Sequence, residues 1–196
     1  MARLAMLLSG MLLALIVAVS TTGAQNRVWF SGPYSFSDEL GGFIIHGVSG
    51  TGSKADPIVI DQEMESASAV TLVVRINVRL RPHNGTGLPQ AIHLRLQSLN
   101  NSGIAWTEYE FELQTRLGQP SVFGDGISFD QRRSDSEARS SDLFKVHDAN
   151  FEPYDRLLFS DGSVDPLQTA GFSFFITDFT PRWIFYIKQD PRIPLS

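Results

Sequence analysis

The chain has 196 residues, 42% of them hydrophobic and 19% charged, with a formal net charge of -5 and no cysteine. That length supports one domain with a substantial core. The negative balance argues against general nucleic-acid binding, which needs a basic field, and the missing thiols exclude a disulfide framework and a cysteine nucleophile.

Residues 1–24 have the pattern of a secretory signal peptide. Arg3 gives a positive start, Leu4 to Val19 is nearly continuous apolar sequence broken at Ser9-Gly10, and Thr22 and Ala24 are the small residues of a cleavage site before Gln25. The expected mature protein is therefore 25–196, secreted or periplasmic, with no membrane span left after cleavage. An exported chain without cysteine fits a bacterial envelope better than an animal secretory pathway.

Short strands are expected at Val28-Trp29-Phe30 and Phe43-Ile44-Ile45, separated by Gly32-Pro33 and Gly41-Gly42. The run from Gly47 to Lys54 is rich in glycine but is not a phosphate loop. Ser53 separates Gly52 from Lys54, and no helix pattern follows. Pro57 to Ile60 is the next strand, followed by a polar stretch from Asp61 to Ser68.

The clearest element is Ala69 to Arg81. Val70, Leu72, Val74, Ile76, Val78 and Leu80 fall on one face, with Thr71, Arg75, Asn77, Arg79 and Arg81 on the other. That period of two describes a long strand with one buried face. Pro82 to Pro89 reads as a hairpin connection into Ile92, Leu94 and Leu96, and the turn at 100–103 leads to Ala105, Thr107, Tyr109, Phe111 and Leu113. Three consecutive strands would form a meander, its outer arginines paired with Glu108, Glu110 and Glu112.

Val122-Phe123 and Ile127 to Phe129 suggest a hairpin around Gly124-Asp125-Gly126. Residues 130–142 hold no large apolar side chain and read as a mobile loop. Further strands are expected at Leu143 to Val146, near Phe151 to Phe159, at Ala170 to Phe179 with Phe172, Phe174 and Ile176 on one face, and at Trp183 to Lys188, which is apolar on both faces and so central. A proline-limited tail follows. About nine or ten strands without an amphipathic helix indicate an all-β protein, an antiparallel β-sandwich of immunoglobulin-like or jelly-roll type. An outer-membrane barrel fits less well, because charged residues occupy faces that lipid would cover.

No G-x-S-x-G elbow is present, and His46, His83, His93 and His147 lack the helical spacing of a zinc site. Glu108, Glu110 and Glu112 share a face, as paired glycosidase carboxylates must, with no other sign of a cleft. Asp155, Asp161 and Asp165 cluster in sequence near Gly162-Ser163. They are the candidate calcium ligands, although Asp-Gly is also a common turn pair. Trp29, Trp106, Trp183 and Tyr186 are the candidate ligand-stacking aromatics, with core packing as their competing role. The expected function is non-enzymatic, through protein–protein contact in adhesion, scaffolding or envelope assembly. A carbohydrate-binding module and a hydrolase of unknown substrate are the alternatives.

Overall fold

A computed structural model describes residues 27–77, 91–122, 124–129, 139–179 and 182–194. These form fourteen strands and no helix: β1 (Val28–Ser31), β2 (Tyr34–Ser37), β3 (Phe43–Ser49), β4 (Ile58–Met64), β5 (Val70–Ile76), β6 (Ala91–Asn100), β7 (Glu108–Arg116), β8 (Gln119–Pro120), β9 (Ile127–Ser128), β10 (Ser140–Ser141), β11 (Phe144–Asp148), β12 (Arg156–Gly162), β13 (Thr169–Asp178) and β14 (Ile184–Arg192). One sheet runs β1-β2-β5-β14-β7-β12-β11, with β8 added beside β7. The other runs β10-β13-β6-β4-β3, with β9 added beside β13. All ladders are antiparallel except β4–β6. The two sheets pack face to face over one buried apolar cluster, and the fold is a β-sandwich.

The alternation that makes these strands also faces them. In β5, Val70, Leu72, Val74 and Ile76 join the core, while Thr71 and Arg75 lie on the outer face. In β13, Phe172, Phe174 and Ile176 are buried inward. The Phe172 and Phe174 rings mesh with Tyr109 and Phe111 of β7, Phe129, Phe144, and Phe159 of β12, at centroid separations of 4.5–5.8 Å. β14 is central, between β5 and β7, as its two apolar faces require.

The meander is not formed. β5 and β7 belong to the first sheet and β6 to the second, so consecutive strands cross the core instead of pairing. β14 lies between β5 and β7, and the cations expected from β5 come from β14 and β12. Arg192 holds Glu108 at 3.2 Å and Glu110 at 2.5 Å, Arg156 of β12 holds Glu112 at 2.7 Å, and Arg75 turns to Glu39. The long arginine stems lie over Glu110 and Glu112, leaving both buried on an outer face. The expected signal peptide, residues 78–81, and the 82–89 connection lie outside the described residues.

Other corrections are local. β4 continues through the polar stretch, because Gln62 and Met64 face inward. The hairpin around residues 124–126 is absent: β9 pairs with β13, and Val122 bridges to Tyr154. Of the expected mobile loop, 130–138 lie outside the described residues. Ser140–Ser141 is strand β10, and Asp142 accepts from the Gly171 amide at 2.7 Å and from Arg95. β14 runs on through Pro191, which sits opposite Tyr109, past the last residue paired to β5. There its missing N–H has no ladder to break.

The β3–β4 connection depends on Gly50. Its φ is +86°, and an added Cβ would lie 1.9 Å from the Pro57 carbonyl oxygen. At Gly118, φ is +77° with open space around. Gly50→Ala is expected to lower unfolding free energy by at least about 2 kcal/mol more than Gly118→Ala, in which only the backbone preference is violated. Urea unfolding of the two variants measures the difference, and equal losses would refute the close approach.

Candidate functional site

The connections at one end of the sandwich carry most of its exposed aromatic surface. Leu117 occupies the β7–β8 turn, Val122 follows β8, Tyr154 precedes β12, Phe179 follows β13 and Trp183 precedes β14. These five side chains are between 40% and 66% exposed. Isolated exposed apolar residues are ordinary on a protein surface; several gathered on adjoining loops, three of them aromatic, are not.

Backbone and side-chain hydrogen bonds lock the loops together. Val122 bridges to Tyr154, Phe179 donates its amide to the Gly126 carbonyl at 2.8 Å, and Ile76 donates to the Trp183 carbonyl at 3.0 Å. Arg182 places Nη2 on the Asp125 carbonyl at 3.5 Å, while its own amide donates to Asp178 Oδ2 at 3.2 Å. The Arg156 guanidinium lies 5.1 Å from the Tyr154 ring centre, a cation–π contact that steadies an exposed tyrosine.

Beneath this surface is a buried polar cluster. Ser121 Oγ lies 3.0 Å from Asp125 Oδ1, 3.3 Å from the Ile127 carbonyl oxygen and 2.9 Å from Asp155 Oδ2. Ser121 is wholly buried and Asp155 nearly so. Burial pushes the Asp155 carboxyl above the usual carboxylate range. The Ser128 and Ser121 hydroxyls pull it back, and the Asp125 charge pushes it up again.

The expected site residues scatter. Trp183 belongs to the aromatic end, and Tyr186, three residues on, lies half-exposed on the outer face of the first sheet. Trp29 packs against the core. Trp106 is fully buried, its indole N–H donated to Ser102 Oγ at 3.2 Å, and cannot stack on a ligand. The four do not form one platform. Nor do the three aspartates meet. Asp155 precedes β12 and Asp161 is near its far end, six residues and about 20 Å of extended chain away. Asp161 faces Lys145, and the Asp165 amide is bound to the Gln168 side chain. Among the described residues no group of three or more His, Asp or Glu side chains is arranged to hold a metal.

The histidines serve local contacts. His46 Nε2 is 2.9 Å from Glu63, the His93 ring lies on Phe175 at 4.4 Å, and burial followed by the Arg139 charge lowers the pKa of His147. His83 lies outside the described residues. Glu108, Glu110 and Glu112 do share a face, and each is engaged by an arginine.

Sequence reading missed Leu117, Val122, Tyr154 and Phe179 as members of one surface, and it missed the Ser121–Asp125–Asp155 contact. The available signal was the placement of apolar residues directly beside turn residues, as in Arg116-Leu117-Gly118 and Phe179-Thr180-Pro181. Comparison with known proteins finds no matching family model, no similar curated protein and no similar solved structure.

Proposed function

We propose that this protein is a non-enzymatic, exported β-sandwich that works by protein–protein contact, and that the aromatic end is its contact surface. The observation that carries the reading is the gathering of Leu117, Val122, Tyr154, Phe179 and Trp183 on interlocked connections. Rigid aromatic anchors supply large contact area at low entropic cost, and a few such residues dominate binding energy in protein interfaces. Loops at one end of a sandwich are free to carry such anchors because the sheets hold the fold without them. The apolar leader-like segment motivates the extracytoplasmic location.

The test is a photo-crosslinking amino acid placed at position 179 of the full chain, expressed in its own host, with position 61 on the outer face of the second sheet as control. One defined protein adduct is expected from position 179 and none from 61. Trp183→Ala should weaken that adduct ten-fold or more, the effect of losing a central anchor. No adduct, or equal adducts from both positions, would overturn the reading. A carbohydrate-binding module is the second reading, favoured by the exposed rings of Tyr154 and Trp183. It predicts that tryptophan fluorescence shifts with polysaccharide and that the shift is lost in Trp183→Ala; a flat response across envelope and plant polysaccharides removes it.

A further inference from the structure

The Ser121 hydroxyl has one proton and three acceptors within reach. If both carboxylates were ionised, the single Ser121 proton could serve only one of them, and the other would meet the lone pairs of Ser121 Oγ at that contact, at 3.0 Å or less. A second negative charge would also stand beside the buried Asp155 side chain. The two carboxylates are not equivalent. Asp125 already accepts from the Val122 amide at 3.3 Å, the Ile127 amide at 3.2 Å and Thr115 Oγ1 at 3.4 Å, a donor set that suits an ionised group. Asp155 is the more deeply buried, and its side chain is met by the Ser121 and Ser128 hydroxyls.

Among the described residues, the neighbouring arginines are directed to other groups than the Asp155 carboxylate. Arg182, from the β13–β14 connection, is bound to the Asp125 carbonyl. Arg156, next in sequence to Asp155, points to the outer face, onto Glu112 and the Tyr154 ring. Asp178, from the end of β13, holds the Arg182 amide.

We propose that this cluster is a proton-operated latch on the aromatic end: Asp155 carries a proton and donates it to Ser121 Oγ, Ser121 donates its own to Asp125 Oδ1, and loss of the Asp155 proton releases Ser121 and Asp125 from Asp155. The lacing around the relay shows what would come loose. Ser121 donates its amide to the Leu113 carbonyl at 2.7 Å, Leu113 to the Asp155 carbonyl at 3.0 Å, and Asp155 to the Ser121 carbonyl at 3.1 Å. Val122 and Tyr154, immediately outside this triangle, are two of the five exposed anchors. The latch stands on its own geometry; its use as a switch of docking rests on the reading of this end as a contact surface.

The sign of the pH dependence follows. A carboxyl whose folded-state pKa lies above its ordinary value of 3.8 contributes stability that is complete below 3.8 and is lost as pH rises through the folded value. Alkalinity opens the latch; acid closes it.

The experiment follows the aspartate side-chain carboxyls by 13C NMR through a pH series, with melting temperatures of the wild type and Asp155→Asn across the same range. An asparagine keeps an N–H for Ser121 Oγ at every pH. The Asp155 carboxyl is expected to titrate above its ordinary value of 3.8, and the wild-type melting temperature should fall as pH rises through that titration. Asp155→Asn should show a flatter profile and melt above the wild type at pH 8. Titration of Asp155 at or below 3.8, or a variant profile parallel to the wild type, would overturn the latch. If Asp155→Asn does not fold, the wild-type titration alone decides. The crosslink from position 179 is scored separately. Its absence at every pH defeats the docking reading and leaves the titration result standing, whereas a crosslink that forms equally below and above the measured Asp155 titration removes only the switch.

Discussion

Phe172→Ala is expected to destabilise the protein by about 3–5 kcal/mol, the range for truncating a large aromatic in a packed core. Phe172 is wholly buried on β13, and its ring meets Tyr109 at 4.5 Å, Phe159 at 5.2 Å, Phe111 at 5.3 Å and Phe144 at 5.8 Å. It therefore joins three strands of the first sheet to the second sheet. Alanine would leave a cavity lined by rings that cannot all move inward, because each is also packed on other neighbours. For a chain of this size the melting temperature should fall by about 6–20 °C. Phe175 is the control. It lies on the same strand with its side chain on the opposite face, stacked on His93. Phe175 is 7% exposed but lies outside the apolar core cluster, so Phe175→Ala should cost less than Phe172→Ala by about 1–2 kcal/mol. Thermal and urea unfolding of the two variants reads the register of β13 directly. Equal losses would mean that the alternation Phe172-in, Phe175-out is wrong.

That alternation was legible in the sequence, and so were the strands it builds. Period two fixes which side of a strand is buried wherever one face is continuous, as in 70–76, 92–100 and 170–178. Strand pairing was not legible. Arg75 and Glu110 are opposite in charge and close in sequence, which suits neighbours in a meander equally well as strands separated by β14. Nothing local distinguishes the two, because cross-strand partners are set by which sheet each segment joins. β2 was missed for another reason: Tyr34-Ser35-Phe36-Ser37 alternates over only four residues, and its serines resemble loop composition.

The site was legible only in fragments. Trp106 and Trp183 each sit just before an alternating segment, and no local feature separates them. Trp106 is buried because Val164, distant in sequence, bridges across it, while Trp183 stays outside at the head of β14. Asp155 was read with Asp161 and Asp165 because they are near in sequence. Its actual partner, Ser121, is 34 residues away, and the burial that gives the contact its chemistry is a property of the packed loops.

Gln189→Leu is expected to cost about 1–3 kcal/mol, although it replaces a polar core residue by an apolar one of similar size. Four side chains cross the core as one network. Gln62 of β4 donates to Ser98 Oγ at 2.8 Å and to Gln189 Oε1 at 2.6 Å. Gln189 of β14 donates back to Gln62 Oε1 at 3.1 Å, and Tyr109 of β7 donates its hydroxyl to Gln189 Oε1 at 3.0 Å. None of the four is more than 2% exposed. Leucine at 189 would strand the Gln62 carbonyl and take from the Tyr109 hydroxyl its acceptor on Gln189, leaving that hydroxyl to Ser98, and a buried group left unsatisfied costs about 1–3 kcal/mol. Water cannot repair it in a packed interior. The Gln62→Leu/Gln189→Leu pair should lose less than the sum of the single losses by about 1–2 kcal/mol, since the second change removes a group the first had stranded. This network is also the feature that ties β14 to β4 across the core by directional bonds, where the surrounding Leu, Ile and Phe contacts tolerate sliding. The double-mutant variant should therefore keep compactness and strand content but lose dispersion of its core methyl and ring resonances. Additive losses in the cycle, or an unchanged spectrum in the double variant, would show that apolar packing alone sets how the two sheets meet.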